Sequence, residues 1–189
     1  MSTRLLTINA LTAFIYVSLF ALQAQAMDSN QFWASLVFLP HGWRVLSFFL
    51  FRFSAMPGLF VGHLATCFIF FGQIGDNWPL YVVTSLQGTY TLPLLYLGLR
   101  TLGLDLLATR KEYAVVPWTS FVGLTVLATL FNGVLVAMAG AFYFDQPMNW
   151  VQVKQYMVGD MIGALLCTAG LMLFFRWQRL RTEPKRKAD

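Results

Sequence analysis

The sequence predicts an all-α, polytopic integral membrane protein with six transmembrane helices and both termini in the cytoplasm. Three observations predict it. Of the 189 residues, 58% are hydrophobic and only 11% charged, whereas a soluble domain is about 25% charged. The apolar residues gather into six stretches of roughly the 20 residues that a helix needs to cross a bilayer. Strict period-two alternation, the mark of a membrane barrel strand, is absent. One domain is expected at this length, with residues 1–177 forming the six-helix unit and 178–189 a basic cytoplasmic tail.

The spans are Leu5–Gln23, Trp33–Phe51, Met56–Ile74, Pro79–Leu99, Pro117–Phe144 and Val153–Phe175. Only Arg52-Phe53-Ser54-Ala55 separates the second from the third, so these two form a tight helical hairpin. With the N terminus inside, Arg4, Arg52, Arg100, Arg110, Lys111 and the basic residues from Arg176 to Lys187 fall on the cytoplasmic side, and Lys154 alone falls outside. The outer connections carry Asp28, Asp76 and Asp145 instead. That asymmetry in lysine and arginine sets the orientation. Trp33, Trp78 and Trp150 mark outer boundaries, Trp118 and Trp177 inner ones, as an interfacial belt requires. The start of the chain has a second reading, because Ala24-Gln25-Ala26 fits the cleavage site of a secretory leader. Its apolar part runs to about 18 residues, against about 7–15 in a typical leader. Removing it leaves the orientation of the other five spans unchanged.

The net charge of +5 does not point to nucleic acid. The basic residues sit at span ends and in the tail, an arrangement that suits orientation and contact with anionic lipid. Cys67 and Cys167 lie inside apolar runs and read as small packed hydrophobes, outside any disulfide framework or CxxC motif. His41 and His63 have no Cys, His or Glu companions at ligand spacing, so no metal site is expected. Nothing resembles a nucleophile with its base or a phosphate-cradling loop. Neither enzymatic activity nor a cofactor is expected.

Polar residues within the spans carry the functional signal, since charge at the bilayer centre is costly and turns toward the bundle interior. Counted at about 1.5 Å per residue, Arg44 lies near the midplane, His41 somewhat above it, Asp160 and Gln87 about 12 Å in, and Asn132 near the middle. Two readings stay open. In one, Arg44 and Asp160 form a buried ion pair while Gln87 and Asn132 tie helices together. In the other, His41, Arg44, Gln87, Asn132 and Asp160 line a cavity that binds a small ligand, for which the arginine fork favours a carboxylate or phosphate. His63 lies nearer the cytoplasmic side, away from this group. Pro40-His41-Gly42 interrupts the second helix, and Pro93 does likewise in the fourth. Gly58–Gly62 and Gly159–Gly163 are both GxxxG, a spacing that lets helices approach closely, and we expect the third and sixth spans to pack together through them.

Leu39-Pro40-His41-Gly42, then Arg52, then Pro57-Gly58-Leu59-Phe60-Val61-Gly62 resembles the succession in the first type of membrane-associated sensor (MASE) domain of bacterial signalling proteins. Gly159-Asp160-Met161-Ile162-Gly163-Ala164-Leu165-Leu166, following Trp150, looks like that family's late-helix signature. Order and spacing agree across most of the chain. By this resemblance Pro40, Gly42, Pro57, Gly58, Gly62, Gly159, Asp160 and Gly163 hold motif positions, and the protein is a multi-helix sensory input. Two departures stand out: His41 and Arg44 replace small or apolar residues, and Thr168-Ala169-Gly170 replaces the usual proline after the late motif.

The expected function is therefore that of a bacterial inner-membrane sensor. It binds a small molecule, or a partner's membrane helices, in its outer half. No kinase, cyclase or phosphodiesterase module lies within these residues, so it acts through a separate signalling or membrane-complex protein, with the basic tail docked on lipid headgroups or on that partner. A substrate-binding subunit of a transporter, similar to the vitamin-binding components of energy-coupling-factor systems, is an alternative. A structural accessory subunit of a larger membrane complex is another.

Overall fold

A computed structural model describes residues 2–26, 37–71, 78–107 and 118–182. These residues build helices α1 (Thr3–Ala26), α2 (Leu39–Phe51), α3 (Met56–Phe71), α4 (Trp78–Thr101), α5 (Trp118–Tyr143) and α6 (Trp150–Thr182), with a single 3₁₀ turn, Arg52–Ala55, between α2 and α3. Four helical stretches among them are long and apolar enough to cross a membrane: Thr3–Gln25, Leu39–Phe71, Thr119–Tyr143 and Trp150–Arg181. The described residues are all-helical, as a multi-pass membrane protein of this class requires. Helix α4 spans 24 residues but carries Thr84, Ser85, Gln87, Thr89, Thr91 and Pro93, and is less apolar than those four.

The helices close into a ring in the order α1, α3, α4, α5, α6, α2 and back to α1. Polarity is inverted across its wall. Phe14, Val61, Leu94, Leu165 and Leu173 are exposed on the outside, whereas Thr12, Ser47, Ser85, Thr129 and Asp160 are buried within. Threonines survive in such helices by donating their hydroxyls backward along their own turn, as Thr12 does to the Ile8 carbonyl, Thr66 to Gly62 and Thr168 to Ala164.

The stretch Leu39–Phe71 folds back on itself. Arg52 takes a left-handed conformation, φ 54°, donates its backbone N–H to the Phe48 carbonyl, and turns the chain into α3. The outcome is the hairpin that the short Arg52–Ala55 connection predicts. Asn9 of α1 anchors the new helix by accepting the Gly58 N–H at 2.6 Å, a donor that the first turn of α3 leaves without an intrahelical partner. At the end of α4, Gly103 at φ 84° lets Leu104 N–H reach the Leu99 carbonyl and Gly103 N–H reach Arg100, a Schellman ending. Asn149 opens α6 by accepting from the N–H groups of Val151 and Gln152.

Several expectations are corrected. Pro40-His41-Gly42 does not interrupt a longer helix; α2 starts there, with Phe38 as its cap and Pro40 in the first turn, where a missing N–H costs nothing. Residues 33–36 of the expected second span, with Trp33, lie outside the described residues, as do Asp28, Asp76, Arg110, Lys111 and the tail from residue 183. Pro93 leaves α4 continuous from Trp78 to Thr101. Helix α6 runs on to Thr182, so the expected tail begins as helix, with Arg181 stacked 3.8 Å from the Trp177 ring centroid.

The two GxxxG motifs do not face each other. Gly58 and Gly62 of α3 meet Asn9 and Ala13 of α1, while Gly163 of α6 meets the Phe38 carbonyl and Gly42 of α2 meets the Gly163 carbonyl. Each motif thus serves a different neighbour. Helix α1 does more than lead the chain: beyond capping α3, it accepts the Trp43 indole N–H on the Thr12 carbonyl and the Leu39 N–H on Gln23. It therefore packs on both arms of the hairpin.

A methyl group added at Gly163 has no room against the Phe38 carbonyl, whereas nothing lies within 4 Å of one at Gly170 of the same helix. We expect Gly163→Val to destabilise the detergent-solubilised protein by about 1–3 kcal/mol or more and Gly170→Val to leave its thermal midpoint nearly unchanged.

Candidate functional site

The ring interior has three levels. We call the end at which α1 begins proximal and the opposite end distal. Toward the proximal end, Val45, Phe48, Ala55, Met56, Leu59, Leu92, Tyr96, Leu124 and Ala128 pack into a buried apolar plug. Above it lies a layer of polar side chains, and above that a cavity of about 120 Å³ extends toward the distal end.

The polar layer is built by placing one group from each of several helices at one depth. Asn132 on α5 is its hub. Gln87 of α4 donates through Nε2 to Asn132 Oδ1 at 2.8 Å, and Asn132 Nδ2 donates to Asp160 Oδ2 of α6 at 2.5 Å. His41 of α2 brings Nδ1 to 3.1 Å from the same carboxylate oxygen, close enough for an electrostatic contact but without the alignment of a hydrogen bond. On its other side His41 Nε2 stands 3.4 Å from the Thr129 hydroxyl. Four of the five residues singled out from the sequence therefore form one continuous chain. Asp160 is 2% exposed and His41 4%, so neither is solvated from outside.

Arg44, one turn further along α2, behaves differently. It is buried and donates from Nη1 to the Gly88 carbonyl at 3.1 Å and from Nη2 to the Tyr16 hydroxyl at 3.3 Å. Its guanidinium also lies 5.7 Å from the Tyr16 ring centroid and 5.4 Å from that of Phe38, distances at which a ring face attracts a cation. Its Nε has no partner among the described residues. Among those residues, Arg100 lies within ion-pair distance of Asp105, and Asp160 has the His41 imidazole beside it in place of a permanent cation. The Arg44–Asp160 ion pair of the first of the two readings is not formed: the hairpin sets Arg44 against α1 and α4, while His41, a turn nearer the start of α2, meets the carboxylate.

Arg44 and Asp160 nevertheless share the cavity, together with Asn132, His63, Cys67 and Gly88, under a rim of Phe20, Phe38, Phe71, Tyr81 and Tyr156. His63 is a second correction. It does not lie apart near the proximal end, because the antiparallel hairpin carries it to the level of Arg44. The Tyr16 and His63 rings are 5.4 Å apart. A methyl group at Gly88 would come within 2.6 Å of Arg44 Nη1 and 2.9 Å of His63 Cε1, so glycine there admits both side chains and bares the carbonyl that holds the arginine.

Tyr16, His63 and Gly88 are the site residues that sequence reasoning missed. A tyrosine and a glycine inside apolar helices carry no signal by themselves, but the depth of His63 was readable from the hairpin. Asn9 and Gln23, polar within the first span, also had a legible signal. Both turn out to satisfy backbone N–H groups of neighbouring helices. Comparisons with protein-family models, curated proteins and solved structures find no match for this chain.

The geometry makes Asn132 the direct hydrogen-bond partner of the carboxylate. In a double-mutant cycle on thermal or denaturant stability, Asn132→Ala with Asp160→Ala is expected to show a coupling of about 0.6–1.7 kcal/mol, the range of direct membrane hydrogen bonds.

Proposed function

We propose that this chain is a six-span protein of a bacterial inner membrane, with both termini in the cytoplasm, that binds a small polar molecule in its central cavity and relays occupancy to a partner protein. One observation carries the binding reading: a buried arginine and a buried aspartate face the same cavity without pairing with each other. A buried charge without a counterion is costly, and a guest that contacts both groups relieves that cost. The orientation is supported by the Lys/Arg asymmetry of the sequence and by Arg176, Arg179 and Arg181 at the proximal end of α6. On that orientation the cavity faces the periplasmic half, where a sensor of external solutes needs it. The sensory role draws on the resemblance of the Pro40–Gly62 and Gly159–Leu166 motifs to membrane-associated sensor domains.

The Gln87–Asn132–Asp160–His41 chain favours a second reading, in which the polar layer only locks helices together within a larger complex. Native mass spectrometry of the gently solubilised protein separates the two. The binding reading expects a small-molecule adduct on the wild type that Arg44→Gln loses while remaining folded. An adduct-free wild type whose partner co-purification is untouched by Arg44→Gln would leave only the packing role. The orientation has its own test: a fluorescent protein fused after Asp189 is expected to fluoresce, and alkaline phosphatase inserted at Asp145 is expected to be active.

A further inference from the structure

Four properties of the cavity restrict what it takes. The first is charge: Arg44 and Asp160 are the formal cation and anion among its lining residues, so with neutral histidines its walls sum to zero. A guest of net charge would leave one excess charge in a medium that penalises it, whereas a dipolar guest of zero net charge pairs both walls. The second is unspent bonding capacity at each pole. Among the described residues, Arg44 Nε and His63 Nδ1 are buried without partners around the arginine; at the carboxylate, both contacts, from Asn132 and His41, use Oδ2 and leave Oδ1 for another donor.

The third property is the rim. Phe20, Phe71, Tyr81 and Tyr156 supply apolar surface and ring faces, which suit a short hydrocarbon body and an ammonium group. The fourth is size. A cavity of about 120 Å³ is slightly smaller than an engineered one of about 150 Å³ that accepts benzene, which sets the guest at about six non-hydrogen atoms.

We infer that the cavity binds a small zwitterion of the free amino-acid class, near alanine in size, with its carboxylate on Arg44 and His63 and its ammonium on Asp160. This inference rests on the binding reading above and adds the ligand class to it.

The test uses the full-length protein in lipid nanodiscs and three sets of probes: free amino acids from alanine to leucine, the matching carboxylic acids without the amine, and the matching alkylamines without the carboxylate. Thermal unfolding and equilibrium binding are read for each. At least one amino acid is expected to raise the unfolding midpoint, with its acid and amine counterparts binding about 100-fold more weakly or worse, as loss of one member of a buried charge pair dictates. Arg44→Gln and Asp160→Asn are each expected to abolish the amino-acid response. Because the three probe sets are compared on the unaltered protein, a variant that fails to fold does not blunt the test.

If the acids bind as tightly as the amino acids, and only Arg44→Gln removes them, the zwitterion assignment is wrong while the binding cavity stands. If no probe shifts unfolding at about 10 mM, the assignment is overturned. The adduct seen or not seen by native mass spectrometry then decides separately whether the cavity binds anything.

Discussion

Where Phe38 crosses α6, two backbones meet with no side chain between them, and the interior of the molecule depends on that approach. The Phe38 N–H donates to the Gly159 carbonyl at 2.9 Å, Gly163 lies against the Phe38 carbonyl, and the Cys167 thiol reaches the Leu39 carbonyl at 3.4 Å. In hydrocarbon no water replaces such bonds, so the contact fixes both the depth and the rotation of α2. Helix α2 therefore begins about 13–20 Å below the start of α6, counted along that helix. His41 lands on Asp160, and Arg44 lands one turn lower, on Tyr16 and Gly88. Had α2 been set one turn closer to the start of α6, the arginine would occupy the place of the histidine, and the ion pair of the first reading would close.

The three levels of the interior follow from where water and lipid are absent. The apolar plug seals the proximal half and lets helices pack by shape alone. The polar layer above it is linked through amide, carboxylate, imidazole and hydroxyl groups drawn from α2, α4, α5 and α6. Arg44 stands at the seam between layer and cavity, held by neutral acceptors and ring faces instead of a carboxylate. Its charge is oriented by these contacts, and no carboxylate among the described residues lies within ion-pair distance of it.

Much of this is legible in the sequence. Each of the six apolar stretches contains a helix, and four helical stretches are long and apolar enough to cross a bilayer; Pro79–Leu99 and Pro117–Phe144 fall within a residue or two of α4 and α5 at every end. The depth count gathers Gln87, Asn132, Asp160 and His41 correctly because helix rise is constant. What the sequence conceals is rotation and neighbour choice. GxxxG states that a helix can be approached closely but not by which neighbour, so the motifs suggest pairing α3 with α6 although these helices pack on α1 and α2. Pro40 reads equally as a break or as a beginning, and only the position of Phe38 against Gly159 distinguishes them. The partner of Arg44 is hidden for the same reason: a one-turn difference in where α2 starts exchanges one ionisable residue for another beside Asp160.

Helix α1 has a consequence for biogenesis. Asn9, the Thr12 carbonyl, Tyr16 and Gln23 serve four separate clients, all on the hairpin that follows. During synthesis this helix leaves the ribosome before the hairpin, so it enters the bilayer with hydrophilic groups whose recipients have not yet been made. A span in that condition gains by staying near the insertion machinery until Leu39–Phe71 arrives, and the three helices then commit to the membrane as a single unit.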